Sequence, residues 1–159
     1  MESNVFIREA LESDTERIKK FDSEVVLHVA SLSGDKDLNE VKRRHDEVFD
    51  RWFSLGNHKV YLAFEKERPE ELIGFIWIIK NVEQFTGIPY CYIMDIGVKK
   101  DYRNKGLGKL LMKKAEEYTR ECGYDRIKLM VNVNNKNAIK FYRSLGFWPE
   151  DLYMRKEVE

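Results

Sequence analysis

Apolar side chains recur along the chain with two different periods, and the period predicts where helices and strands lie. Residues 5–8 are predicted to form a short strand, since they combine β-branched and aromatic side chains. After them, Ile18, Phe21, Val25 and Val29 recur at three-to-four-residue spacing, which is typical of a helix with one apolar face. The chain is therefore expected to begin with a strand and an amphipathic helix.

A second helix is predicted after the break at Ser33 and Gly34. It starts near Asp37, and its apolar stripe consists of Leu38, Val41, His45, Val48 and Trp52. Beyond Gly56 the pattern changes from helical to extended. Residues 60–64 and 72–79 are rich in β-branched and aromatic side chains, and the charged segment 65–71 between them is predicted to be the turn of a hairpin.

The remaining sequence alternates between extended and helical patterns. The predicted strands are 90–98, 126–133 and 152–158, and the predicted helices are Gly106 to about Glu121 and the segment that carries Ala138, Phe141, Tyr142 and Leu145. The chain contains no repeat and no linker, so all elements are expected to share one sheet with helices packed on it. The predicted class is α/β (α+β) with a mixed sheet.

Composition narrows the class of protein. A chain of 159 residues fits one domain, here 1–159, because a single core can stabilise that length. Lys+Arg and Asp+Glu both number 28, so no overall positive field attracts nucleic acid or an anionic membrane. The longest apolar run, 72–79, is far shorter than the ~20 residues of a membrane helix. With two cysteines and no secretory signal at its start, the chain is expected to be cytoplasmic.

A basic segment with two glycines joins the strand 90–98 to the helix that follows. Residues 99–109 include five bases and one acid. A helix start presents unpaired N–H groups and the positive end of the helix dipole, and glycine lets the backbone approach a phosphate closely. The segment predicts a site for a ligand with several phosphates, and its alternative is an ordinary turn with solvated lysines. Its spacing matches neither the nucleotide P-loop nor the dinucleotide fingerprint.

Two motifs in a fixed order resemble a known family. The strand Ile93-Met-Asp-Ile-Gly-Val98 leads into Asp101-Tyr-Arg-Asn-Lys-Gly-Leu-Gly108. The second motif, Asn135-Lys-Asn-Ala-Ile-Lys-Phe-Tyr-Arg-Ser-Leu-Gly-Phe147, follows after one helix and one strand. Together they resemble the GCN5-related N-acetyltransferases, the GNAT superfamily, over about residues 58–158. The resemblance implies a centrally splayed sheet flanked by helices, acetyl-CoA held in the gap, and direct acetyl transfer to an amine.

The same resemblance assigns the cofactor-binding residues around the first motif. The backbone of Ile96, Gly97 and Val98 is implied to pair with the pantetheine arm. The implied pyrophosphate loop consists of Arg103, Asn104, Lys105, Gly106, Leu107, Gly108 and Lys109.

In the second motif, the resemblance gives Asn135, Ala138 and Tyr142 as cofactor contacts. Tyr142 is also implied to be the general acid for the departing thiolate. From the residues alone, Asn135 could serve only as a helix cap, and Tyr142 could be only a core aromatic residue with a partnered hydroxyl.

The general base is less well defined. Related enzymes often carry a glutamate on the strand before the loop, and the aligned position here is Met94. Asp95 is the nearest acid and is taken as the candidate base, directly or through water. An acid on the first two helices, such as Glu24, is the alternative.

The histidines are expected to be structural. His28 and His45 lie on or beside apolar stripes, so both are predicted to be buried and hydrogen-bonded, while His58 is predicted in a loop. The histidines and cysteines lack ligand-like spacing, so no metal site is expected.

The function expected from the resemblance is an N-acetyltransferase for a primary amine, with a small amine or polyamine preferred. Residues 1–57 are expected to form the substrate side and 58–159 the acetyl-CoA-binding core. The alternatives are a protein N-terminal or lysine acetyltransferase, a catalytically silent CoA-binding regulator, and a nucleic-acid module built on the basic loop. No nucleic acid or membrane partner is expected, and assembly as a homodimer stays open.

Overall fold

The computed structural model describes residues 4–34, 37–156 and 158. Within them, the strands are β1 Val5–Glu9, β2 His58–Glu65, β3 Arg68–Val82, β4 Pro89–Val98 and β5 Ile127–Leu129. The α-helices are α1 Thr15–Ser33, α2 Leu38–Phe53, α3 Leu107–Glu121 and α4 Lys136–Ser144. Two short 3-10 helices, Glu12–Asp14 and Lys100–Tyr102, precede α1 and α3.

The five strands form one sheet in the order β1-β2-β3-β4-β5. The first three pairings are antiparallel, and β4 pairs with β5 in parallel. The β4–β5 ladder is short, because it joins only residues 91–93 to 127–129. Beyond Ile93, β4 therefore has a free edge on that side. The mixed sheet and its central opening are as predicted.

Helices cover both faces of the sheet, and each face has its own core. Ile18 and Phe21 of α1 and Phe49 of α2 pack on one face, while Leu107 and Leu111 of α3 pack on the other. The strand β3 is central and buried on both faces over residues 72–79, which explains why its sequence is a continuous apolar run and not an alternating one.

The ends of α1 and α2 follow their sequence signals. Gly34 terminates α1 in the left-handed conformation at φ 81°, which glycine adopts at little cost. The Asp37 carboxylate accepts a hydrogen bond of 3.0 Å from the Glu40 backbone N–H and caps α2. At the start of α1, the buried Asp14 accepts two hydrogen bonds from the Arg8 guanidinium, at 2.7 and 3.0 Å. This pair fixes α1 against β1.

Three sequence-based boundaries were wrong. The predicted strand 126–133 is reduced to β5, and the predicted turn 65–71 is reduced to two residues, since β3 already begins at Arg68. The predicted closing strand 152–158 is irregular over its described residues. Its apolar side chains Leu152, Tyr153 and Met154 are consecutive and exposed, so no single face could be buried, and the three-residue β5 offers little backbone to pair with.

The packing of α3 on the sheet makes the first testable prediction. Leu111→Ala removes a fully buried side chain and should lower the free energy of unfolding by about 2–5 kcal/mol, because it leaves a cavity. The control Leu55→Ala, whose side chain is 59% exposed, should change it by less than about 0.5 kcal/mol. Urea unfolding measures both variants, and equal losses would contradict this assignment of the core.

Candidate active site

A β-bulge in β4 places two successive side chains on one face of the sheet. Trp77 of β3 pairs with Asp95, and the next residue of β3, Ile78, pairs with Ile93, so Met94 has no partner across the ladder. On either side of this irregularity, Ile93 and Ile96 pack on the α3 face. Met94 and Asp95 both line a cavity on the α1–α2 face. The bulge thus turns Asp95 toward the first two helices.

The cavity on this face has a volume of about 120 Å³. Its lining combines three acid-base side chains with apolar and aromatic ones: Asp22, Val26, His45, Val48, Phe49, Trp52, Trp77, Met94 and Asp95. Val48 and Trp52 are the exposed members, and the two aspartates lie deeper. The cavity therefore has an apolar mouth and an acidic floor.

The floor of the cavity is a coupled group of acids around one histidine. Burial, together with the neighbouring Asp22 carboxyl, raises the pKa of Asp95 well above its usual range. Asp95 Oδ1 also accepts a hydrogen bond of 2.6 Å from the Ile96 N–H, which acts in the opposite direction. The second oxygen of Asp22, Oδ2, lies 2.7 Å from His45 Nε2. Two close carboxyls cannot both ionise easily, so this arrangement favours a proton on Asp95.

The edge of β4 that follows its last pairing with β5 is free. Ile96, Gly97 and Val98 lie beyond the last β5 pairing, so on that side their backbone groups have no strand partner among the described residues. Gly97 also needs its lack of a side chain, since a Cβ there would come within 2.8 Å of Phe21, Val25 and Phe75. The segment implied to hold a pantetheine arm is thus an available edge.

The glycine loop presents several backbone donors that no group of the described residues uses. In the described chain, the N–H groups of residues 104–108 donate to no protein acceptor. Asn104 and Gly106 both have left-handed backbones, with φ of 59° and 89°. Alternation of left- and right-handed residues directs successive N–H groups to one side and forms a nest that binds anions. The start of α3 adds its dipole to this surface.

Side chains of the loop modify the charge expected from the sequence. Lys99 pairs with Glu71 at 2.9 Å, and the Arg103 guanidinium donates to the Val98 carbonyl at 3.0 Å. The ammonium group of Lys105 lies 5.8 Å from the centre of the Tyr102 ring. Arg103 is therefore turned back toward the end of β4, where it supports the loop.

Other side chains of this segment have packing roles or are exposed. Leu107 is buried in the α3 core, and a Cβ on Gly108 would lie 3.0 Å from the Phe141 ring. Glycine at position 108 thus allows the Phe141 ring of α4 to pack close against the start of α3. Lys100 and Lys109 are solvent-facing and form no ion pair within the described chain.

The start of α4 closes the opening from the other side. The Asn135 side chain caps α4 by accepting from the Ala138 N–H at 3.1 Å, so the capping alternative holds for its oxygen. Tyr142 packs against the α3 core and lies close enough to Asp95 for that carboxyl to influence it electrostatically. Burial, reinforced by Asp95, raises the pKa of Tyr142. Its hydroxyl thus stays protonated at neutral pH.

Asp95 of the first motif and Tyr142 of the second are near enough for the Asp95 carboxyl to raise the pKa of Tyr142. Glu24 is exposed on α1 and is not part of the cavity lining. His45 is buried and hydrogen-bonded as predicted, whereas the same prediction for His28 was wrong, because its side chain is exposed. His58 begins β2 and packs on Phe53 with ring centres 4.3 Å apart, so its assignment to a loop was also wrong.

Sequence reasoning missed Asp22 and the contact of His45 with it. The available signal was a charged residue directly beside Phe21 on an apolar helical stripe, and a histidine within the stripe of the next helix. In the described residues, no group of three or more His, Cys, Asp or Glu side chains could hold a metal ion. Nor is any described helix long and apolar enough to cross a membrane.

Comparison with known proteins identifies the class of this fold. The model of the acetyltransferase (GNAT) family matches residues 27–147. The chain belongs to this family. A solved structure of a putative acetyl transferase from Pyrococcus furiosus superimposes with a TM-score of 0.82 at 33% identity, covering 97% of this chain and 99% of that one.

Two curated relatives have names that include a small molecule. A mycothiol acetyltransferase from Thermobispora bispora is 32% identical over 127 residues, covering 77% of this chain and 40% of that protein. An L-ornithine N5-acetyltransferase from Arabidopsis thaliana is 32% identical over 102 residues, covering 58% of this chain and 45% of that protein. The chain thus matches less than half the length of both.

The pKa values of His45 and His58 are predicted to shift in opposite directions. Hydrogen bonding to Asp22, and more weakly to Asp46, raises the pKa of His45 above its ordinary value, whereas burial lowers the pKa of His58. Since the unfolded value is about 6.5, the stabilisation from His45 is complete below that pH and is lost as the pH rises through the folded pKa. The stabilisation from neutral His58 is instead lost as the pH falls below about 6.5.

NMR titration of the imidazole nitrogens checks both signs. His45→Gln and His58→Gln assign the two signals and serve as controls for each other. Titration of both rings at the same pH would contradict the described environments.

Proposed function

We propose that this chain transfers the acetyl group of acetyl-CoA directly to a primary amine, and that the acceptor is a small amine or polyamine. The observation that carries the proposal is the position of Asp95. It lines a cavity on one face of β4, and its carboxyl is near enough to Tyr142, on the α3 side, to raise the pKa of that tyrosine. A proton acceptor and a proton donor thus stand on the two sides of one opening.

The residues of the opening fit acetyl-CoA, the co-substrate of the family. The unpaired N–H groups of residues 104–108 would hold the pyrophosphate, and Lys100, Lys105 and Lys109 add positive charge nearby. The free edge at residues 96–98 would pair with the amide groups of the pantetheine arm. When bound, acetyl-CoA supplies the thioester carbonyl that the amine attacks.

Two side chains would manage the protons of this reaction. An amine must lose its proton to become a nucleophile, and a carboxylate with a raised pKa is a better base than an ordinary one. Asp95 has that property and lines the cavity. Tyr142 keeps its hydroxyl proton at neutral pH and would donate it to the thiolate that departs.

The cavity supports a primary amine on an alkyl chain. The carboxyls of Asp22 and Asp95 favour an ammonium group at the floor, and Phe49, Trp52 and Trp77 offer aromatic surface for the cation and the carbon chain. A volume of about 120 Å³ holds only the end of such a molecule. The relatives named for mycothiol and L-ornithine also support a small-molecule acceptor.

An acceptor panel tests the proposed activity. CoA thiol release should be fastest with unbranched primary alkylamines and diamines, slower with amino-terminal peptides and lysine peptides, and absent with the corresponding alcohols. Preference for a peptide would move the assignment to a protein acetyltransferase. Binding of acetyl-CoA without thiol release from any acceptor would identify a silent CoA-binding regulator.

The role of Tyr142 is tested by removing only its hydroxyl. Tyr142→Phe should reduce kcat by ~10² to 10⁴, the usual contribution of a positioned acid, with acetyl-CoA affinity within a few fold of the parent. The matched control is Tyr124→Phe, because Tyr124 packs against the same α3 core but is not part of the proposed site. Turnover of Tyr142→Phe at the parent rate, with chemistry rate-limiting, would refute this role.

A further inference from the structure

An uninterrupted series of acid-base groups leads from the candidate base to the surface of the protein. Asp95 and Asp22 of α1 line the same cavity, and the Asp22 carboxyl raises the pKa of Asp95. Asp22 Oδ2 lies 2.7 Å from His45 Nε2, and His45 Nδ1 lies 3.1 Å from Asp46 Oδ1 on α2. The side chains of His45 and Asp22 are 7% and 5% exposed, whereas that of Asp46 is 36% exposed. The series therefore begins inside the cavity and ends in solvent.

The inner end of the series contains an unsatisfied atom. Asp22 Oδ1 is buried and accepts no hydrogen bond within the described chain. A buried carboxylate oxygen without a donor is costly, and a proton on the adjoining Asp95 carboxyl would supply that donor. Asp22 would then accept from Asp95 with one oxygen and face His45 with the other. Asp22 would thus connect Asp95 to His45 through its two carboxyl oxygens.

The outer end has a defined electrostatic setting. His45 faces Asp22 from α1, Asp46 from its own helix, and the cavity that Asp95 of β4 also lines. Asp46 in turn pairs with Lys42 at 3.1 Å and is influenced by Lys19. The imidazole thus has a carboxylate on each nitrogen, and the outer carboxylate is kept ionised by cations.

We propose that Asp22 and His45 are positioning residues that carry the proton of the acceptor amine from Asp95 to solvent at Asp46. The inference rests on the proposed function, since it assigns the fate of the proton that acetyl transfer releases. Asp95 alone could accept one proton but would have to lose it before the next turnover. Asp95 is only partly accessible to solvent, so a second route for that loss would speed it.

The proton balance of the route is simple. One N–H bond of the acceptor ammonium breaks, and an O–H bond forms on Asp95. The Asp95 proton passes to the Asp22 carboxyl, which rotates and presents it to the unprotonated Nε2 of neutral His45. The imidazolium that forms releases its Nδ1 proton to Asp46, and rotation of the ring restores the starting tautomer. Asp46 gives that proton to water. Only histidine can accept on one ring nitrogen while it donates from the other.

The variant His45→Gln distinguishes a role of His45 in proton transfer from a purely structural role. Glutamine can still donate a hydrogen bond to Asp22, but it cannot relay a proton, and it removes the imidazolium charge. We expect kcat to fall at least about tenfold, less than for a directly reacting group, and we expect the acid limb of the pH profile to move to higher pH. Acetyl-CoA affinity should stay within twofold of the parent. The control His28→Gln, an exposed histidine on α1, should keep the parent profile.

The outcomes of this experiment are distinct. Turnover by the parent together with an unshifted pH profile in His45→Gln would overturn the route and leave the proposed function intact. A uniform fall at every pH would identify a structural role and also overturn it. Absence of turnover by the parent with any amine would overturn the proposed function and the route together. If His45→Gln does not fold, Asp46→Asn tests the outer end, with a smaller shift in the same direction expected.

Discussion

The extra residue in β4 at Met94 is the constraint on which the candidate site depends. A regular strand would alternate its side chains and direct Asp95 toward α3, into the largely apolar core on that face. The bulge instead presents Met94 and Asp95 together to α1 and α2. It also lies one residue beyond the last pairing with β5, so the carboxyl and the free strand edge occur at the same point of the sheet.

Burial of this carboxyl has an energetic cost that the surrounding packing must offset. Asp22, Asp95 and His45 together remove up to three charges from water, which seldom increases stability even when they are well paired. The helices that enclose them are held by large apolar contacts, among them Phe21 against Phe75 with ring centres 5.3 Å apart. The molecule thus tolerates a polar cluster in its α1–α2 core, and such a departure from an apolar interior is typical of functional sites.

The sequence could predict the elements and one half of the site, for identifiable reasons. The glycine loop and the start of α4 are local patterns, so the backbone donors of 104–108 and the cap at Asn135 follow from neighbouring residues. The partnership of Asp22, His45 and Asp95 joins residues far apart in the chain, and no local period encodes it. The bulge at Met94 likewise depends on how β4 pairs with β3, so a local pattern does not reveal it either. The closing strand failed because pairing requires a partner edge, which a local pattern does not reveal.

The two sides of β4 also determine how ligands could move. The acidic cavity opens between α1 and α2, whereas the donor surface of the glycine loop belongs to the side of α3 and α4. Near the gap, Asn132 and Asn134 donate hydrogen bonds of 2.6 and 3.2 Å to Ser33 and Leu32 at the end of α1. This link holds the two halves together around the opening. Two ligands could therefore enter from opposite faces of the sheet and meet at β4. Because they would not share an entrance, neither would have to leave before the other. The fold thus imposes no fixed order of binding and release.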